Sequence, residues 1–322
     1  MKKFTNRAAA VLLFLWLVPL SADASRLLVP VGRIIGLRLQ DDTVTVSSFD
    51  ETAGAAARNA GLKVGDRIVR VDGQDIDCAE DVRRALDRCD GTVDVSVLRS
   101  GKEKRLRLTP QITEDGPRLG VYLKEGTTGV GTVTFYDPDT GKFGALGHGV
   151  NDQTGALLPM HSGTAYEASI LSVKKGKIGI PGQLMGALDG SSPLGDLSKN
   201  TDRGVFGKTD ADWKGQVLPV AAAADIHTGS AVIRSTVEGD TVREYSVEIL
   251  KIYPSTKSDS RNMLLRITDP VLLETTGGIV QGMSGSPIIQ DGKLVGAVTH
   301  VLVNDPTTGY GIFIENMLNA AA

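Results

Sequence analysis

Short segments in which apolar and polar residues alternate recur along most of the chain. In the first third these segments are residues 33–39, 43–46, 68–71, 93–98 and 104–108. A period of two is typical of strands with one buried face. A helical pattern, with apolar residues three and four positions apart, is confined to residues 77–89 there. The 38 glycines punctuate these segments and favour turns. The pattern therefore predicts a mainly β chain built from short strands.

The N-terminus has the organisation of an export signal. Lys2, Lys3 and Arg7 precede an apolar run from Ala8 to Leu20, and the small residues of 22–24 follow it. The apolar run is shorter than the roughly 18–20 residues that a membrane-spanning helix requires. We therefore expect residues 1–24 to be a signal peptide, with an uncleaved membrane anchor as the alternative, and the rest of the chain to be exported.

Composition limits the classes of function. The chain has 322 residues, 41% of them hydrophobic and 23% charged, and this length suggests two folded domains. The net charge of −3 provides no basic surface for nucleic acid, so we expect no nucleic-acid partner. The spacing of the four histidines does not match a zinc-binding motif, and we expect neither a metal nor another cofactor.

Residues 25–113 resemble a bacterial PDZ domain, an α+β fold. The similarity is carried by AARNAGLKVGDRIVRVDGQDI, which matches the pattern of Ala-Gly-Leu, Gly-Asp and Asp-Gly turns in that family. In PDZ domains a loop and strand near the start bind an extended peptide by strand addition. The resemblance assigns this role to Ile35, Gly36 and Leu37. The alternative is a PDZ domain that only packs against its neighbour.

Two segments of the second domain, residues 114–322, carry candidate chemistry: FGALGHG at 143–149 and GMSGSPII at 282–289. A nucleophilic serine requires a tight turn that exposes its hydroxyl and backbone N–H groups that converge on the oxyanion. The second segment and its continuation resemble the GDSGGP region of trypsin-like peptidases. This resemblance makes Ser284 the nucleophile and assigns the oxyanion hole to the N–H groups of Gly282 and Ser284.

The general base is expected to be a histidine, because imidazole titrates near neutrality. His148 lies between two glycines and upstream of the serine, which is the order found in chymotrypsin-type enzymes. Thr299 and His300 fall on the strand that lines the substrate cleft in trypsin-like folds and are expected to contact substrate. His161 and His227 are interpreted as polar loop residues.

Residues 118–317 resemble one family closely, the stage IV sporulation protein B serine peptidases. The segments that carry this resemblance include KGKIGIPGQLMG and ITDPVLLETTGGIVQGMSGSPIIQDGKLVGAVTHV. The family implies a trypsin-like double β-barrel and Asp269, fifteen residues before the serine, as the third member of the triad. Because trypsin spaces its aspartate differently, Asp225 and Asp189 stay open as alternatives.

The family resemblance also implies a biological role. Such peptidases act in the space between the two forespore membranes, cleave themselves, and cleave a membrane-bound regulator of an intramembrane metalloprotease. That cleavage leads to activation of a late sigma factor. Two other functions remain possible at this point: a non-catalytic PDZ adaptor and an envelope quality-control protease.

Overall fold

The structure is a computed structural model, and it describes residues 26–152, 155–253 and 260–322. The signal peptide or anchor predicted at residues 1–24 lies outside these residues. Within the described ranges, no helix is both long enough and apolar enough to cross a membrane. Strands dominate these ranges, which confirms the mainly β prediction.

The described residues of the first half of the chain form ten strands and two helices. The strands are β1 Leu27–Pro30, β2 Ile34–Phe49, β3 Arg67–Val71, β4 Gln74–Asp75, β5 Val93–Arg99, β6 Lys102–Leu108, β7 Gln111–Thr113, β8 Gly116–Arg118, β9 Val121–Tyr136 and β10 Lys142–Ala145. The helices are α1 Ala55–Asn59 and α2 Ala79–Leu86.

In the second half, the residues that the structure describes form ten further strands and two helices. The strands are β11 Ser162–Lys174, β12 Gln183–Thr201, β13 Gly204–Lys208, β14 Leu218–Pro219, β15 Gly229–Thr236, β16 Val242–Ile252, β17 Met263–Ile267, β18 Pro287–Gln290, β19 Lys293–Leu302 and β20 Asp305–Phe313. The helices are α3 Pro270–Thr276 and α4 Ile314–Ala321, and a short 3-10 turn covers Ala223–Asp225.

Six strands close into a first barrel. The hydrogen-bonded order is β9, β10, β13, β12, β11 and β2, and β2 pairs back onto β9. Alternate residues of β2, namely Ile35, Leu37 and Leu39, are buried with Val133 and Phe143 in the barrel core. This is the result that a period-two apolar pattern predicts, because every second side chain points to the same face.

The second barrel is formed by β15, β16, β17, β20, β19 and β18. Its core includes Ile233, Ile249, Met263, Leu265 and Ile288, each of which is fully buried. Two closed barrels, formed by the second domain together with β2, confirm the predicted double β-barrel architecture.

In the PDZ-like unit, helix α2 shares one buried core with β3, β5 and the second half of β2. Its Gly-Asp pair has a clear structural role. Gly65 adopts a φ of +87°, which favours glycine, and it turns the chain so that Asp66 is almost fully buried. Arg99 donates to both oxygens of that carboxylate at 2.6 Å, so the buried charge is paired.

Strands β2 and β9 run from the first barrel into the PDZ-like unit without ending. In the barrel, Ile34 to Leu39 pair with Thr132 to Thr127; in the PDZ-like unit, Val44 to Phe49 pair with Glu125 to Val121. The register shifts between the two stretches, where Gly126 adopts a φ of +63°. The first half of β2 is therefore barrel structure, although the sequence analysis placed it inside the PDZ domain.

The pairing of β2 corrects the predicted peptide-binding role of Ile35, Gly36 and Leu37. These residues pair with β9 on one side and with Glu167, Tyr166 and Ala165 of β11 on the other. Strand addition requires an edge with unpaired backbone groups. Both edges are occupied here, so a peptide cannot add to this segment.

Candidate active site

A cleft with a volume of about 690 Å³ opens where the two barrels meet. The residues of interest that line it are His148, Gly149, Gly282, Ser284, Thr299 and His300. The two motifs identified in the sequence, 143–149 and 282–289, are thus brought together from different barrels. The contribution of β9 to the lining is Thr127, Gly129 and Val130.

The turn that carries Ser284 requires glycine on both sides. Gly282 and Gly285 have φ values of +100° and +97°, in the left-handed region that side chains other than glycine rarely adopt. A Cβ atom added to Gly285 would also lie 2.0 Å from the Thr132 carbonyl oxygen. The turn is therefore packed tightly against the first barrel.

Two threonines of β9 hold this turn from the opposite barrel. The Thr132 hydroxyl donates to the Gly282 carbonyl at 2.8 Å, and the Thr134 hydroxyl donates to the Gly285 carbonyl at 2.7 Å. The Thr132 N–H donates to the Ser284 carbonyl at 3.0 Å. Both threonines are fully buried, so these bonds are shielded from water and fix the turn that presents Ser284.

The N–H groups of Gly282 and Ser284 are available to an oxyanion. Among the hydrogen bonds of the described residues, neither N–H donates to a backbone or side-chain acceptor. The neighbouring N–H groups are engaged, since Met283 donates to Val280 and Gly285 donates to Val298. Two free donors beside a nucleophilic hydroxyl are what stabilisation of a tetrahedral oxyanion requires.

The two serines of the motif have different environments. Ser284 is partly exposed in the cleft, and its hydroxyl donates to the Thr299 carbonyl at 2.8 Å. Ser286 is fully buried, and its hydroxyl donates to that of Ser235 at 3.0 Å. Ser284 is thus the serine of this motif that the cleft can offer to a substrate.

His148 follows a strained turn. Leu146 has a φ of +70°, which is uncommon for a residue with a side chain, and Gly147 follows at +69°. The His148 Nδ1 lies 2.8 Å from the Gly149 carbonyl. Because a carbonyl can only accept, Nδ1 carries the proton and Nε2 is left as the acceptor, which is the tautomer that a general base needs.

Burial also favours the neutral form of this imidazole. Withdrawal from water lowers the pKa of His148 below its ordinary value, and this outweighs the hydrogen bond to Gly149, which raises it. The ring of His300 lies close, with 5.2 Å between the two ring centroids. The cleft therefore contains two imidazoles, one from each barrel.

The structure does not place Asp269 in this cleft. Asp269 is the N-cap of α3, and its carboxylate accepts from the Leu272 N–H at 3.0 Å. The two alternatives are engaged elsewhere: Asp225 pairs with Lys293 at 3.1 Å, and Asp189 accepts from Ser192 at 2.9 Å. Among the described residues that line the cleft there is no aspartate or glutamate. The Gly149 carbonyl, rather than a carboxylate, orients His148.

We expect Asp269→Ala to lower the free energy of unfolding by about 1 kcal/mol, because it removes the side-chain acceptor at the N-cap. Asp269→Asn is the matched control, since asparagine caps a helix as well as aspartate does. Thermal unfolding and labelling of Ser284 by a fluorophosphonate would be measured on both variants. Loss of labelling in the Asn variant, with unchanged melting, would show that Asp269 acts in the triad and is not only a helix cap.

Sequence reasoning missed three contributors to the site: Thr132, Thr134 and the Gly149 carbonyl. The segment GTVTFY at 131–136 reads as an ordinary strand, and its threonines contact a turn about 150 residues away. The sequence did contain one indication of this role, because Thr132 and Thr134 are polar residues at alternate positions of an otherwise apolar strand. That signal indicates a buried polar partner but does not identify it.

Two family models match the chain. A sequence model of the SpoIVB peptidase S55 family matches residues 115–318, and a PDZ domain model matches residues 34–109.

Two curated relatives are named "Putative zinc metalloprotease". The one from Agrobacterium fabrum is 39% identical over 90 residues, which is 28% of this chain and 23% of the relative. The one from Mesorhizobium japonicum is 39% identical over 80 residues, 24% of this chain and 22% of the relative. This chain thus spans less than a quarter of either relative.

Two solved structures match parts of the chain at low similarity. The alignment with the Rv3671c protease of M. tuberculosis in its active form covers 61% of this chain and 73% of that protease, at 16% identity and a TM-score of 0.36. The alignment with the PDZ domain of an SdrC-like protein from Listeria monocytogenes covers 26% of this chain and 87% of that domain, at 23% identity and a TM-score of 0.22.

Proposed function

Since the chain belongs to the SpoIVB peptidase S55 family, which spans residues 115–318, we propose that it is an exported serine endopeptidase. One observation carries this proposal: Ser284, His148 with its Nδ1 against a carbonyl, and Gly282 all line the same cleft, and the N–H groups of Gly282 and Ser284 have no acceptor among the described residues. These groups are the minimum set for acyl transfer through a serine.

In the proposed reaction, the Ser284 hydroxyl first turns from the Thr299 carbonyl towards Nε2 of His148. Its oxygen attacks the carbonyl carbon of the scissile bond while His148 takes the proton. The N–H groups of Gly282 and Ser284 stabilise the resulting oxyanion. His148 then donates the proton to the leaving nitrogen, and water repeats the sequence to release the acyl group. The Gly149 carbonyl holds the ring orientation throughout.

The biological role that we propose is sporulation signalling. The substrates are the chain itself and a membrane-bound regulator of an intramembrane metalloprotease, whose release leads to activation of a late sigma factor. The location is the forespore intermembrane space or the cell envelope. Family membership and the PDZ match support this role, because a peptide-binding domain joined to a peptidase suits protein substrates.

The activity is tested with a fluorophosphonate probe and peptide mapping of the full chain. We expect covalent labelling at Ser284. Absence of label in a folded sample would instead favour the non-catalytic PDZ adaptor. The signalling role needs a second experiment, in which the chain is incubated with the exposed segment of the membrane-bound regulator. Failure to cleave it, by a sample that labels normally, would leave an envelope quality-control protease as the better description.

The lowered pKa of His148 predicts how labelling depends on pH. A neutral imidazole is the active form, and burial keeps His148 neutral below the ordinary histidine pKa of about 6.5. The rate of fluorophosphonate labelling should therefore stay high as the pH falls through 6.5 and decline only below it. A decline with its midpoint at or above this value would contradict the assignment of His148 as a buried base.

A further inference from the structure

Among the described residues, no strand pairs with one edge of β9 from Val121 to Gly131. From Val121 to Gly131, β9 pairs with β2 alone among the described strands, and β2 lies on one side of β9 only. The opposite edge runs from Val121 in the PDZ-like unit to Val130 in the cleft. An unpaired strand edge offers a row of backbone donors and acceptors to an extended chain.

The direction in which each backbone group points follows from the neighbouring hydrogen bonds. The Val133 N–H donates to Arg33 and therefore faces the β2 side, whereas the Thr132 N–H donates to the Ser284 carbonyl on the opposite side. Strand residues alternate, and pairing with β2 continues without a shift down to Thr127. The N–H and C=O groups of Val130 and Thr128 therefore face away from β2, on the side of Ser284.

The same edge continues beside helix α2 of the PDZ-like unit. Val121 and Leu123 pack against its core, and the Glu125 carboxylate accepts from the Ala79 N–H at the start of α2. The distance from Val121 to Val130 is about 30 Å at 3.3 Å per residue. A single strand edge thus connects the PDZ-like unit with the cleft. The edge predicted to bind peptide, at Ile35 to Leu37, is paired on both sides in the barrel.

We propose that the open edge of β9 binds the part of the substrate that follows the scissile bond, as an added β-strand that runs from Ser284 to the PDZ-like unit. This proposal rests on the peptidase function proposed above. The position of His148 determines which part of the substrate lies along β9. His148 must protonate the leaving nitrogen, and it lies in the first barrel together with β9. The chain after the cleavage point therefore leaves along the first barrel.

The proposal defines a substrate class. The substrate is an extended polypeptide segment with about ten residues after the cleavage point, enough to reach Val121 at 3.3 Å per residue. Folded loops cannot add to a strand edge, and short peptides do not reach α2. Side chains of the added strand would alternate between the two faces, so selectivity among extended segments would come from every second residue.

The first test uses a series of peptides with one cleavage sequence and from two to fourteen residues after the cleavage point. We expect kcat/KM to increase with length up to about ten residues and then to level off, with a total gain of about tenfold or more from the added backbone hydrogen bonds. Equal values of kcat/KM for the shortest and the longest peptide would overturn the proposal.

The second test removes one donor of the edge. Thr128→Pro deletes an N–H that faces away from β2, a position at which an edge strand tolerates proline. Thr128→Val, which keeps the N–H, is the matched control. In a Ser284→Ala background, a labelled fourteen-residue peptide should bind about three- to tenfold more weakly to the Pro variant than to the Val variant. Equal affinities for two folded variants, checked by thermal unfolding, would overturn the proposal.

The two tests separate this proposal from the proposed function. If Ser284 is not a nucleophile, fluorophosphonate labelling fails and the cleavage series yields no product, while the binding comparison still reports on the edge. If the edge is not used, labelling and cleavage persist but depend neither on peptide length nor on the Thr128 N–H. Should the Pro variant fail to fold, the length series on the unmodified chain decides the question alone.

Discussion

Ser284→Ala is expected to abolish hydrolysis, with a decrease in turnover of about 10⁶-fold, because residual catalysis would come only from binding and the oxyanion donors. The same change should cost about 1 kcal/mol of stability, since it removes one hydrogen bond, from the hydroxyl to the Thr299 carbonyl. Turnover of a peptide substrate and thermal unfolding measure the two effects on one sample.

Ser286→Ala is the matched control for this experiment. It removes the other hydroxyl of the motif, which is fully buried and bonded to Ser235. This variant should lose about 1–3 kcal/mol of stability, because the Ser235 hydroxyl loses its partner, and should still react with a fluorophosphonate. Reversed outcomes, in which Ser286→Ala loses turnover and Ser284→Ala keeps it, would show that the motif was aligned in the wrong register.

Gly285→Ala is expected to have the largest effect on folding. The alanine would have to adopt a φ of +97° and would place its Cβ 2.0 Å from the Thr132 carbonyl oxygen. Because backbone on both sides prevents relaxation, we expect a loss of about 3 kcal/mol or more and loss of labelling at Ser284. Chemical denaturation and fluorophosphonate labelling would report the two losses.

Gly292→Ala separates conformational strain from the close approach. Gly292 has a φ of +72°, also in the left-handed region, but a Cβ there would meet nothing within 4 Å. Its substitution should cost only about 1 kcal/mol, the penalty of a left-handed alanine, and should leave the turn at Ser284 in place. Equal losses for the two variants would mean that contact with Thr132 does not hold the nucleophile turn.

The parts of the fold that could be predicted are those specified by local sequence. The Gly-Asp turn before Asp66 and the glycines around Ser284 are needed for backbone geometry at those positions, so their motifs are readable within a few residues. Alternating apolar residues likewise predict strands without reference to distant partners.

The features that could not be predicted depend on distant pairing. The segment at Ile35 to Leu37 has the same alternation whether it forms a PDZ edge or a barrel wall, and only its pairing with β9 and β11 distinguishes these. Asp269 precedes Pro270 in a pattern that fits a helix N-cap as well as a catalytic acid. Family resemblance favoured the acid, and the geometry of α3 favours the cap.

The passage of β2 and β9 from one unit into the other has a consequence for dissecting the protein. The PDZ-like unit is inserted into the first barrel through two paired strands, so cutting the chain before residue 114 would remove a barrel strand together with it. A truncated peptidase made in this way should expose the barrel interior and precipitate. A viable excision would instead join residues 40 and 126 by a short turn, which keeps the ladder of the barrel intact. Because β9 is continuous between the two units, the inserted unit is also attached directly to the strand whose threonines hold the turn at Ser284.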